Sequence, residues 1–174
     1  MKLQEKDLEF HFQNVINAMK FDQMESSLPN YHGIDEMHRV DFIVELENSI
    51  LFVEIKDPEC PNCTEESKQK FYTKIQNGKI YDTFASKFID TFLYRWAEEE
   101  LTKPIHYISL VTGLDEAQTL NFAEQIEKKL PPLGKNVPRW KKKLFNSCLV
   151  FNFETWNAIN EQWPVIRVSQ SGAQ

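Results

Sequence analysis

The chain opens with Leu8, Phe12, Val15, Ile16 and Met19 at spacings of three and four, with Glu5, Glu9 and Gln13 as a neighbouring polar row. That periodicity predicts an amphipathic helix over residues 3–20. After a polar loop holding Pro29, Asn30 and Gly33 the period changes to two. Val40, Phe42, Val44 and Leu46 alternate with Arg39, Asp41, Ile43 and Glu45, the signature of a strand. Glu47, Asn48 and Ser49 make a tight polar turn, and residues 50–56 read as a second strand returning antiparallel. Thr64 followed by Glu65 and Glu66 has the chemistry of a helix N-cap. The helical pattern then runs to about residue 100, interrupted at Asn77-Gly78, so two helices or one kinked helix both fit. A strand over 105–111 and a helix over 115–130 follow, the latter with Leu120, Ala123, Ile126 and Leu130 inward. Next come a strand over 148–153, a helical turn around Trp156 and a last strand over 165–168. Residues 1–168 thus read as one domain, with 169–174 a disordered polar tail. The order implies an α/β architecture with a mixed central β-sheet, because an antiparallel hairpin is joined to later strands through helical crossovers.

Composition narrows the class. The 174 residues are 41% hydrophobic and 26% charged, ordinary for a globular chain of one-domain size. The longest apolar runs are a few residues, against the roughly 20 needed to span a bilayer, so no membrane partner is expected. The polar N-terminus lacks a signal-peptide core, and the expected location is cytoplasmic. Three cysteines, an odd number, are then expected to be reduced. The net charge of −6 argues against non-specific coating of nucleic acid. It conceals a basic run, Lys128, Lys129, Lys135, Arg139, Lys141, Lys142 and Lys143, with no acid between.

The chemistry concentrates in the hairpin. Glu54 and Lys56 stand two apart on a strand and share a face, and the partner strand brings Asp41 near them. Two carboxylates, with the carbonyl of Ile55 as a third donor, suit magnesium or manganese, hard ions that take oxygen ligands and leave positions for water and phosphate. Lys56 beside them is placed to orient water or to meet phosphate charge. Such a set performs metal-assisted hydrolysis of a phosphodiester.

Asp41 and Glu54-Ile55-Lys56, with Gly33 and Arg39 leading into Val40-Asp41, resemble the PD-(D/E)XK nuclease superfamily. The resemblance implies a restriction-endonuclease-like fold, a mixed central sheet flanked by helices. It also implies a metal-dependent nuclease in which Asp41 and Glu54 bind the ion while Lys56 assists hydrolysis. Many members add a carboxylate from the first helix, for which Glu9 fits best and Glu5 is the alternative. The helix after the lysine often contributes a Gln or Lys, and Gln69, Lys70 and Lys74 are the candidates. Val40 stands where the family often has proline. The implied partner is nucleic acid, DNA in first place, with Lys70 and Lys74 as contacts. Independently of the resemblance, Arg139, Lys141, Lys142 and Lys143 around Trp140 combine bases with an aromatic that could meet a nucleic-acid backbone, a solvated basic loop or a protein contact being the equal alternative. A catalytically inactive module of the same fold, binding protein, nucleic acid or a second copy of itself, is the alternative.

Other features are plainer. Cys60 and Cys63 have the spacing of half a zinc site, which Cys148 and His38 could complete, although loop cysteines without a ligand role are the simpler reading. Tyr81, Phe84, Phe88, Phe92 and Trp96 recur at helical spacing and read as a core face more than a base-stacking platform. No zinc-protease spacing, nucleophile elbow, phosphate-binding glycine loop or dinucleotide fingerprint occurs.

Overall fold

The computed structural model describes residues 1–28, 30–31, 33–131 and 141–171. Its centre is a five-stranded mixed sheet built from β3 (Asn17–Lys20), β4 (Phe42–Glu45), β5 (Ile50–Lys56), β6 (Ile105–Val111) and β7 (Ser147–Phe151), in that spatial order. The first three strands form an antiparallel meander, and β5, β6 and β7 run parallel. Helices α1 (Glu65–Gln76) and α2 (Lys79–Ala97) carry the chain from β5 to β6, and α3 (Glu116–Lys129) carries it from β6 to β7. A parallel pair needs such a crossover, whereas the β4–β5 pair closes through a turn in which Leu46 N–H donates to Ser49 C=O.

The side-chain period of two splits the core. Ile43, Ile50 and Phe52 face α2 and α3, packing with Phe84, Phe88, Phe122 and Ile126. Phe42, Val44, Leu51, Val53 and Ile55 face the other way, onto Leu8, Phe10, Phe12, Trp156, Trp163 and Val165. That second layer is a small antiparallel sheet of β1 (Lys2–Glu5), β2 (Leu8–His11) and β8 (Val165–Arg167), with helix α4 (Phe153–Ile159) beside it. A final helical turn, α5 (Val168–Ser171), follows β8.

The opening helix is therefore replaced by strands. Leu8, Phe10 and Phe12 are buried while Glu9 and His11 lie on the opposite side, a period of two. Lys6, at φ 53°, and Asp7 form the turn between β1 and β2, with Glu5 opposite Leu8. The spacing from Leu8 to Phe12 suits a helix and a strand equally, and Phe10 decides between them. Burying Phe10 against Phe42 and Trp156 requires the strand.

Elsewhere the local chemistry is as expected. Thr64 caps α1, its hydroxyl oxygen accepting from Ser67 N–H at 3.2 Å. Gly78, at φ 76°, separates α1 from α2 where a side chain would be strained, so the helical pattern is two helices. Asp115 and Gln118 form a capping box on α3. On the inner side of α3 Ile126 and Leu130 are buried and Ala123 packs against the core as expected, but Leu120 is exposed, and Thr119 and Phe122 are buried instead. No helix among the described residues is long and apolar enough to cross a membrane.

Candidate active site

Asp41 immediately precedes β4, and Glu54 and Lys56 end β5 on the face turned to the helices. Thr112 N–H donates to Lys56 C=O, so the backbone of residues 54 and 56 faces β6 and that of Ile55 faces the β4 side. Ile55 N–H accordingly meets Asp41 Oδ2 at 2.6 Å, and the Ile55 carbonyl points to the same side as that N–H. Asp41, Glu54 and Lys56 are thus brought together, with the Ile55 carbonyl beside them.

A fourth group completes the cluster. Lys87 of α2 puts its Nζ 2.8 Å from Glu54 Oε2 and 3.6 Å from Asp41 Oδ1. Lys56 Nζ lies 3.1 Å from the other oxygen of Glu54, Oε1, as its ion-pair partner. Glu54 is fully buried, Lys87 12% exposed and Lys56 33% exposed, so Lys56 is the member that meets solvent. Around them Glu5 pairs with Lys20 at 2.8 Å and Asp22 with Arg39 at 3.0 Å. Four acids face four bases, which makes the cluster electrostatically self-contained.

Burial, and then the negative charge of Glu54, push the Asp41 carboxyl up to about 7, against the partial relief of Lys87 and Lys56. The Lys87 ammonium is held above its ordinary range: burial opposes its charge, but Glu54 and Asp41 outweigh it.

The oxygen set fits a hard divalent ion. Asp41 and Glu54 already converge on one cation, the Lys87 ammonium, and the Ile55 carbonyl faces the Asp41 side. Among the described residues no three His, Cys, Asp or Glu side chains surround one point, so a metal here rests on two carboxylates and the backbone.

The remaining candidates lie elsewhere. Glu9 sits on β2, its carboxylate engaged by Lys2 at 3.0 Å and by His11, a consequence of the strand that replaces the helix. Glu5 is the opening acid that faces Asp41 electrostatically. Helix α1 has no buried residue: Gln69 and Lys74 are exposed, and Lys70 pairs with Glu66 at 2.6 Å. The helical lysine at the site comes from the next helix. Its signal in the sequence was Lys87 within the buried stripe of α2, three residues after Phe84 and four before Thr91. Lys141, Lys142 and Lys143 are exposed, and the last two border a cavity of about 330 Å³ with Phe92, Trp96 and Pro104 at the start of β6. Glu54 stands opposite Ser109, four residues beyond Ile105, so the start of β6, which Lys142 and Lys143 border, lies roughly 13 Å along the strand from that position. Arg139 lies outside the described residues.

Cys60 and Cys63 are joined in a disulfide between β5 and α1, which replaces both the reduced pair and the half zinc site. The other two zinc candidates are engaged elsewhere: Cys148 is buried in β7, and His38 bonds Asp90 of α2. Tyr81, Phe84 and Phe88 are core, while Trp96 is exposed.

No family model, curated protein or solved structure matches this chain.

Proposed function

We propose that this chain is a divalent-metal-dependent nuclease of restriction-endonuclease-like fold, hydrolysing nucleic-acid phosphodiesters at Asp41, Glu54 and Lys56. The observation that carries the reading is the convergence of the Asp41 and Glu54 carboxylates on one cation, with Lys56 on the far oxygen of Glu54. The antiparallel β4–β5 hairpin, helical crossover and parallel β6 also follow the order that the PD-(D/E)XK resemblance implies.

Bound magnesium or manganese supplies phosphate polarisation and a water of lowered pKa. Asp41 and Glu54 hold the ion, and the Ile55 N–H keeps Asp41 Oδ2 turned away from bulk water. Lys56, oriented by Glu54 and open to solvent, presents an ammonium to the attacking water or to a phosphate oxygen.

Labelled single- and double-stranded DNA and RNA, incubated with magnesium, manganese or chelator, test the reading. Wild type should cut at least one of them with metal alone. Asp41→Ala and Lys56→Ala should each lower the rate by 10²-fold or more, the scale on which an enzyme loses a positioned charged group. Cutting that survives both substitutions would show that the chemistry lies elsewhere.

Lys87 favours a second reading, a nuclease-fold module that binds without cutting, because its ammonium already neutralises both carboxylates. No cleavage of any substrate, with a complex that persists in chelator, would select that reading.

A further inference from the structure

Lys87 is placed by the packing of α2. Thr91, one turn further along the same face, accepts the Val40 N–H at 3.1 Å, which docks the helix onto the residue before Asp41. Phe84 and Phe88 are buried in the helix-side core and fix the rotation of α2. The Lys87 stem then has one inward direction, between the two carboxylates, and its ammonium reaches both.

A divalent ion bridging Asp41 Oδ1 and Glu54 Oε2 would need the space that this ammonium fills, since metal to oxygen distances are about 2.0–2.1 Å for magnesium. The ammonium has three donors and no acceptor, so it cannot join the ion's ligand set. Two cations separated by a few ångströms within a buried site repel strongly, and Lys56 adds a third positive charge at the same carboxylate.

We propose that Lys87 is the built-in counter-cation of this site, and that a divalent ion binds Asp41 and Glu54 only by expelling it. The inference rests on the metal-site reading above and gives it a regulation: the free chain holds its carboxylates neutralised, and metal affinity is set by competition with an internal ammonium. The long lysine stem allows the exchange, because its head can swing toward solvent without moving α2.

The test is manganese binding to the full chain by calorimetry, with thermal melting with and without manganese as the second readout. Wild type is compared with Lys87→Met and with Lys87→Gln, which keeps a hydrogen-bonding group if the methionine variant folds poorly. The expected result is manganese affinity at least tenfold tighter in both variants, with a larger metal-induced rise in melting temperature than in wild type. Equal affinity in wild type and variants overturns the role of Lys87 and leaves the metal site standing. No manganese binding in any of the three overturns the metal site and this inference with it.

Discussion

Asp41 shows how one residue's environment sets a measurable property of the protein. Its carboxyl is buried, bonded to the Ile55 N–H and close to Glu54, and it titrates at about 7 in place of its ordinary 3.8. The folded chain therefore holds the proton more tightly than the unfolded chain. Stability contributed by the protonated form is present at low pH and is lost as pH rises from about 4 through about 7, the reverse of an acid in a favourable ion pair. In chelator, Asp41→Asn removes this titration while keeping an oxygen acceptor for Ile55. The stability of the variant relative to wild type should increase by on the order of 2 kcal/mol between pH 5 and pH 8, read from urea unfolding at each pH. Parallel pH profiles would mean that Asp41 ionises freely in the fold. The pairing of Asp41 with Glu54 and Lys56 was legible because a hairpin and a period of two place them together. Lys87 was not, because its distance from Glu54 depends on where α2 docks, and no local spacing encodes that.

At the scale of elements, legibility followed how many packing arrangements a pattern allows. The strands β4, β5 and β6 carry apolar residues on both faces and could only be central. Thr64, Gly78 and Asp115 mark helix ends through backbone chemistry that acts locally. The opening segment failed because Leu8 and Phe12 satisfy two periods, and the choice depends on partners more than 140 residues away, Trp156 and Val165. The cysteines divide in the same way. Cys148 in β7 is buried in the helix-side core, and burial pushes its thiol up to about 12. Cys60 and Cys63 sit half-buried in the loop before α1. With a thiol-reactive disulfide reagent, untreated native protein should yield no rapid thiol and one on denaturation. After reduction and removal of the reductant, two thiols should react rapidly and the third only in denaturant. A rapid thiol in the untreated protein would contradict the pairing.

The whole molecule is held closed by a charge clamp that joins both ends of the described chain to the strand carrying the site. Arg167 of β8 donates to both carboxylate oxygens of Asp57 at 2.9 Å and to Asp7 Oδ2 at 3.2 Å. Asp57, the residue after Lys56, also accepts from the Thr112 hydroxyl beyond the end of β6. Asp7 in turn accepts from the N–H and hydroxyl of Ser169, which tie α5 to the β1–β2 turn. The guanidinium lies over the Phe153 ring, 5.5 Å from its centroid. Asp57 is 3% exposed and Arg167 11%, so removing the arginine leaves a buried carboxylate without its partner. A loss of that kind costs about 3–5 kcal/mol. Arg167→Ala should therefore lower the melting temperature by roughly 10 °C. Arg167→Lys keeps the charge but not the planar fork that meets both Asp57 oxygens, and it should fall between the two. The clamp anchors the backbone one residue beyond Lys56, so the arginine's effect should extend to the site. If Arg167→Ala melts with wild type, the small sheet is held by its apolar face alone, through Leu8, Phe10 and Val165 against β4 and β5.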